Sequence, residues 1–116
     1  MVSSFKNDLT YVILNSDLKS KRVEFPLTFD KEFKQRSIDD LFLKTRASNV
    51  LKRRKVFTIG QVMDNFEDLA HFRNCGVDTV KEIKNALLET WYETLNSDER
   101  IEFWEEFIKI NTYYKG

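Results

Sequence analysis

Between Asp78 and Tyr92 the apolar residues Val80, Ile83, Ala86, Leu87 and Trp91 recur at spacings of three and four. Only an α-helix gathers that pattern on one face, so the stretch reads as a helix with a core-facing stripe. Ile101, Trp104, Phe107 and Ile108, widened by Phe103 and Ile110, predict a second helix from about Ser97 to Ile110. Upstream, from Ser37, the signals are those of short helices. Thr45 can cap one over about Arg46–Arg54 that turns Val50 and Leu51 inward, and Thr58 opens another through Met63 on Ile59 and Val62. Asn65 followed by Asp68 has the spacing of a capping box ahead of Phe66–Phe72, whose apolar face is Leu69 and Phe72.

With 116 residues, 41% of them hydrophobic, the protein can bury a core without disulfide or metal staples. No apolar run approaches a membrane span, and MVSSFKNDLT lacks the basic and apolar regions of a signal peptide. One Cys and one His cannot build a Cys/His metal cage or an internal disulfide, which fits a reducing, cytoplasmic setting. The three glycines, Gly60, Gly76 and Gly116, are too scattered for a phosphate-cradling loop or a dinucleotide fingerprint. No catalytic residue, metal ligand or cofactor is expected, and the sequence reads as that of a non-enzyme. His71 has no second ligand type beside it, Cys75 has no resolving cysteine, and Asp39 and Asp40 are neighbours that would not face one another on a helix.

The first 36 residues form a separate element. Thr10–Leu14 is β-branched and aromatic, Asn15-Ser16-Asp17 is turn chemistry, and Arg22–Phe25 alternates before Pro26. That pattern predicts a β-hairpin, which alone is marginal in water and must lean on something else. The expected architecture is mainly α. It comprises an extension over 1–36, a compact bundle of short helices over 37–95, and a C-terminal amphipathic helix over 96–116.

Nineteen basic and nineteen acidic residues cancel overall, but not locally. From Lys44 to Lys55 there are six basic residues and no acid, whereas the segment from Asn96 onward carries five acids and three bases. The aromatics Phe103, Trp104, Phe107, Tyr113 and Tyr114 exceed what one surface helix hides, so that helix should dock on the body of the protein or on a second copy as a homodimer.

Leu69-Ala70-His71-Phe72-Arg73-Asn74-Cys75-Gly76-Val77-Asp78-Thr79-Val80 reads as helix, tight turn, helix. Gly76 sits where φ commonly turns positive after a helix. In a helix-hairpin-helix the turn and the next helix N-terminus aim backbone N–H groups at a phosphate, although an ordinary helical turn fits the same residues. Around it, Ile38-Asp39-Asp40-Leu41, Thr45-Arg46-Ala47-Ser48-Asn49-Val50-Leu51-Lys52, Thr58-Ile59-Gly60, Asp68-Leu69, Asn74-Cys75-Gly76 and Lys81-Glu82-Ile83-Lys84 follow in order. Over roughly Ser37 to Leu88 this resembles the C-terminal domain of the bacterial RNA polymerase alpha subunit.

The resemblance implies a helical bundle that binds the minor groove of A·T-rich double-stranded DNA and contacts transcription activators. It places the family's minor-groove arginine on Arg46 and its asparagine on Asn49. The hairpin glycine falls on Gly76, the hydroxyl residue opening the last helix on Thr79, and the acidic residue on Glu82, where it could orient Arg46. Lys52 adds a neighbouring backbone contact. Val77 and Asp78 stand where the family usually has lysines, and Val50 replaces a small Cys. Asp78 puts negative charge where a phosphate would approach, against a contact worth about 1–3 kcal/mol, while Arg53, Arg54 and Lys55 supply compensating charge.

Two functions follow. The first is a free-standing DNA-binding protein of transcription, since 36 residues leave no room for the alpha subunit's assembly domain. The second is an interaction module for RNA polymerase, a sigma factor or an activator.

Overall fold

The computed structural model describes residues 4–15, 25–73 and 75–113, with 112 and 113 described by their backbone alone. Its elements are α1 (Ser4–Asn15), α2 (Lys31–Lys34), a 3₁₀ turn (Ile38–Leu41), α3 (Thr45–Arg53), α4 (Ile59–Asp64), a second 3₁₀ turn (Phe66–His71), α5 (Val77–Glu93) and α6 (Ser97–Tyr113). Among the described residues there is no strand, and the one β feature is an isolated antiparallel bridge between Ser37 and Thr58. The mainly α reading holds. Two compact units divide the protein, one over Phe29–Trp91 and one from residues up to Thr28 together with those from Tyr92 onward.

The Phe29–Trp91 unit is built from short elements, several of which are individually capped. Asp30 Oδ1 accepts from Phe33 N at 2.8 Å to start α2, and Ser37 Oγ accepts from Asp39 N at 3.0 Å to start the first 3₁₀ turn. Thr58 and Gln61 form a reciprocal capping box at α4. The expected box at Asn65 and Asp68 does not form. The Asn65 side chain donates instead to Gln61 O at 2.8 Å, and the segment that follows is a 3₁₀ turn. Thr45 likewise lies inside α3 and does not cap it. The N-cap residue is Lys44, and no side-chain hydrogen bond is made there.

Leu51, Ile59, Val62, Leu69, Ile83 and Leu87 are fully buried and form the centre of this unit. At its margin Phe29, Phe33 and Trp91 pack ring against ring at centroid distances of 4.9–5.4 Å. Gly60 lies close to α2: a Cβ there would be 3.1 Å from Lys34 O, so a side chain at that position would push the two elements apart by a few tenths of an ångström.

The second unit replaces the expected hairpin. Thr10–Leu14 is the C-terminal half of α1 and not a strand; Arg22–Glu24 and the Ser16-Asp17 turn lie outside the described residues. The physical reason is spacing. Phe5 is buried and Asp8, Leu9 and Val12 are half-buried, which is a helical i, i+3, i+4, i+7 face that outweighs the β preference of the run.

Phe5 is the hub of an aromatic cluster, with Phe25, Tyr92 and Trp104 at 5.6–5.7 Å and Phe103 at 6.2 Å. Tyr92 Oη donates to Asp8 Oδ2 at 2.5 Å and accepts from Trp104 Nε1 at 2.8 Å, so the hydroxyl both donates and accepts inside the cluster. The buried face of α6 is Phe103, Phe107 and Asn111, whereas Ile101 and Ile108 of the expected stripe are exposed. Asn96 and Glu99 start α6 with a reciprocal pair, at 2.9 Å and 2.8 Å.

α3 ends in a Schellman pattern, with Val56 N donating to Leu51 O and Lys55 N to Lys52 O, both at 3.0 Å. Its left-handed residue is Lys55 (φ 59°) where glycine is usual. Lys55→Gly therefore raises stability by about 1 kcal/mol, read as a higher midpoint in thermal or urea unfolding. Tyr92 generates a second expectation. Burial first, then the Asp8 hydrogen bond, push its phenol up to about 12. A raised folded-state pKa gives stability that is complete below the unfolded value near 10 and is lost as pH climbs toward 12. Unfolding curves taken between those limits should show that decline, and Tyr92→Phe should flatten it.

Candidate nucleic-acid interface

α3 faces two ways. Ala47, Val50 and Leu51 are buried, while Arg46, Asn49, Lys52 and Arg53 are exposed on the other sides of the same nine-residue helix. The placement of this helix is set from α5. Glu82, half-buried in the second turn of α5, accepts from the backbone N–H of Lys44 through Oε2 at 2.7 Å. That N–H belongs to the residue that begins α3, so the bond brings the N-terminal end of α3 to the N-terminal turns of α5. Arg46 lies two residues further on. Glu82 thus acts on the backbone that carries Arg46, and its Oε2 is spent on Lys44.

The other end of α3 is held to the hairpin. The Arg54 guanidinium lies 4.6 Å from the centroid of Phe72, the buried residue that follows the second 3₁₀ turn. The turn itself closes by Cys75 N donating to Phe72 O at 3.0 Å, and Val80 N donates to Gly76 O at 3.1 Å as α5 begins. Asn74 lies outside the described residues. Burial pushes the Cys75 thiol pKa up, which disfavours the thiolate that redox chemistry needs.

Gly76 does not adopt the expected positive φ, since no described glycine does. The reversal is closed by the bond from Cys75 N to Phe72 O, and Gly76 simply precedes the first turn of α5. It is exposed, and a Cβ there would meet nothing within 4 Å. Thr79 is buried, with 9% exposure. Val77 and Asp78 are exposed beside it.

The basic segment is partly neutralised within the fold. Lys52 Nζ lies 3.4 Å from Asp39 Oδ1, and Arg36 Nε donates to Asp40 Oδ2 at 2.9 Å, so both of the adjacent acids serve as ion-pair partners. Arg54 is stacked on Phe72. Among the described residues Arg46 and Arg53 make no ion pair. Charge counting along the sequence could not separate these cases, because Asp39 is distant in sequence from Lys52 and Phe72 from Arg54. No group of three or more potential metal ligands occurs among the described residues, and no helix there is long and apolar enough to cross a membrane.

The family model for the C-terminal domain of the bacterial RNA polymerase alpha subunit matches residues 28–89, just over half of the sequence. The DNA-directed RNA polymerase subunit alpha of Rubrobacter xylanophilus is 45% identical over 64 residues, covering 54% of this protein and 20% of that one. That of Syntrophomonas wolfei is 31% identical over 88 residues, covering 70% and 28%. That of Pseudothermotoga lettingae is 35% identical over 69 residues, covering 59% and 21%. The matches therefore span 20–28% of the length of these relatives. No solved structure gives a significant match. With the matched region coinciding with the Phe29–Trp91 unit that carries α3, the hairpin and the start of α5, the protein belongs to the family of the bacterial RNA polymerase alpha subunit's C-terminal domain.

Proposed function

We propose that this is a non-enzymatic DNA-binding protein of bacterial transcription that recognises the minor groove of A·T-rich double-stranded DNA in the cytoplasm. The observation that carries the reading is the hydrogen bond from Lys44 N to Glu82 Oε2, which sets the exposed Arg46 beside the first turns of α5. Arg46 enters the narrow groove, where A·T-rich sequence concentrates negative potential. Asn49, one turn further along α3, bonds a base edge, sugar or phosphate. The amides at Gly76 and Thr79 hold a phosphate with the help of the α5 dipole. Glu82 positions α3, and Lys52 contributes a weaker backbone contact because Asp39 shares its charge.

A second reading is favoured by a separate set of observations. Phe42 is 91% exposed and holds a left-handed backbone (φ 51°), Val77 is 70% exposed, and Asp78 stands at the start of α5. A bulky apolar residue displayed at a disfavoured φ suits a contact made with another molecule. An interaction module for RNA polymerase, a sigma factor or an activator would use such groups. Self-association through α6 would have to use the exposed Ile101 and Ile108, because Phe103 and Phe107 are already buried against their own unit.

Fluorescence anisotropy with labelled A·T-tract and G·C-rich duplexes at two salt concentrations separates the readings. The DNA-binding reading predicts salt-sensitive binding that favours the A·T tract and that falls by roughly tenfold or more in Arg46→Ala. Gly76→Ala should remain folded, because its Cβ enters open space, yet bind more weakly, because that space is where the phosphate approaches. A folded wild-type protein that ignores both duplexes at low salt would eliminate the DNA reading in favour of the protein partner.

A further inference from the structure

The six basic residues between Lys44 and Lys55 look alike in sequence but not in space. Helical geometry sets each residue about 100° round the axis from the last. Arg46 and Arg53, seven apart, therefore fall within about 20° of one another on α3, and about 10 Å apart along it. Lys52 lies about 100° round from Arg53, on the side where Asp39 meets it at 3.4 Å. Arg54 is turned onto the Phe72 ring. Asn49 is exposed between Arg46 and Arg53, and no acid interrupts the stretch from Lys44 to Lys55.

From this sorting we infer that Arg53 is a second DNA anchor, binding backbone phosphate on one wall of the groove that Arg46 enters. The inference rests on the DNA-binding reading and adds to it a residue that replaces the charge missing at Val77 and Asp78. The span fits the task. B-DNA's minor groove is about 6 Å wide, so a cation about 10 Å along the helix from an inserted arginine reaches the phosphates beyond its edge and not its floor. Arg53 then supplies affinity without sequence preference, while Arg46 supplies the preference for A·T-rich shape. Of the other four, Lys52 is paired with Asp39 and Arg54 lies on the Phe72 ring, while Lys44 and Lys55 sit at the two ends of α3, as its N-cap residue and its left-handed terminating residue.

The test is the salt dependence of binding by the 116-residue protein to the A·T-tract and G·C-rich duplexes, with folding of each variant checked by circular dichroism. Arg53→Ala should reduce the slope of log K against log salt by about 0.9, so that raising salt from about 50 to 200 mM weakens it about 3.5-fold less than wild type. Its preference for the A·T tract should persist, and Arg53→Lys should restore the slope. Arg46→Ala should instead lose the preference. An Arg53→Ala slope equal to wild type, or an equal loss from Lys52→Ala, would overturn the assignment while leaving the DNA-binding reading intact. Failure of the wild-type protein to bind either duplex would overturn both.

Discussion

One hydrogen bond organises the candidate interface. α3 is a nine-residue helix, too short to be stable alone in water, and its N-cap residue is a lysine that makes no capping bond through its side chain. It depends on burial of Ala47, Val50 and Leu51 for its position and on Glu82 for its N-terminal end. The Glu82 carboxylate accepts from the Lys44 N–H, a charge-assisted bond to a backbone group that cannot move independently of the helix. Arg46, two residues beyond that bond, is exposed. Arg54 on Phe72 performs the matching task at the other end, tying the C-terminus of α3 to the hairpin.

The Phe29–Trp91 unit is otherwise a set of short elements that stay in register through caps and close approaches. The Ser37–Thr58 bridge, with Ile38 N to Phe57 O at 3.0 Å and Ile59 N to Arg36 O at 2.9 Å, joins the first 3₁₀ turn to the start of α4. Gly60 lets α4 meet α2 at van der Waals distance. The other unit works differently. Its stability centres on Phe5 and Tyr92, and Tyr92 is a large buried residue with a polar tip that Asp8 and Trp104 satisfy.

Much of this is legible in the residues. The α5 stripe, the turn before Gly76, the Thr58 start of α4 and the two-faced character of α3 all follow from local periodicity and cap chemistry, which act over a few residues. The departures share a cause. Thr10–Leu14 looks like a strand until Phe5 and Asp8 are included, and what selects the helix is a cluster whose other members are remote in sequence, as in the Asp8–Tyr92 bond between residues 84 apart. Ile101 and Ile108 are apolar and helically spaced, yet α6 rolls to bury Phe103 and Phe107 because those rings meet Phe5, Phe25 and Trp104. Gly76 reads as a positive-φ position, but its φ is not positive and a Cβ there would meet nothing within 4 Å, so neither backbone conformation nor packing within the fold calls for glycine. Resemblance to the family singled out Arg46, Asn49 and Glu82 as candidates, and the coordinates show Arg46 and Asn49 exposed and Glu82 bonded to Lys44 N. The separation of Arg53 from Lys52 and Arg54 needed coordinates, because it depends on partners remote in sequence.

If α3 and the first turn of α5 form one surface, a single ligand must touch both at once. Amide NMR shifts of the labelled protein, followed during titration with an A·T-tract duplex, test this directly. Concerted movement of the Arg46, Asn49 and Arg53 amides with those of Gly76 to Thr79, along one binding curve and with α1 and α6 unmoved, is the predicted result. Shifts confined to one of the two segments, or concentrated on α1 and α6, would contradict it.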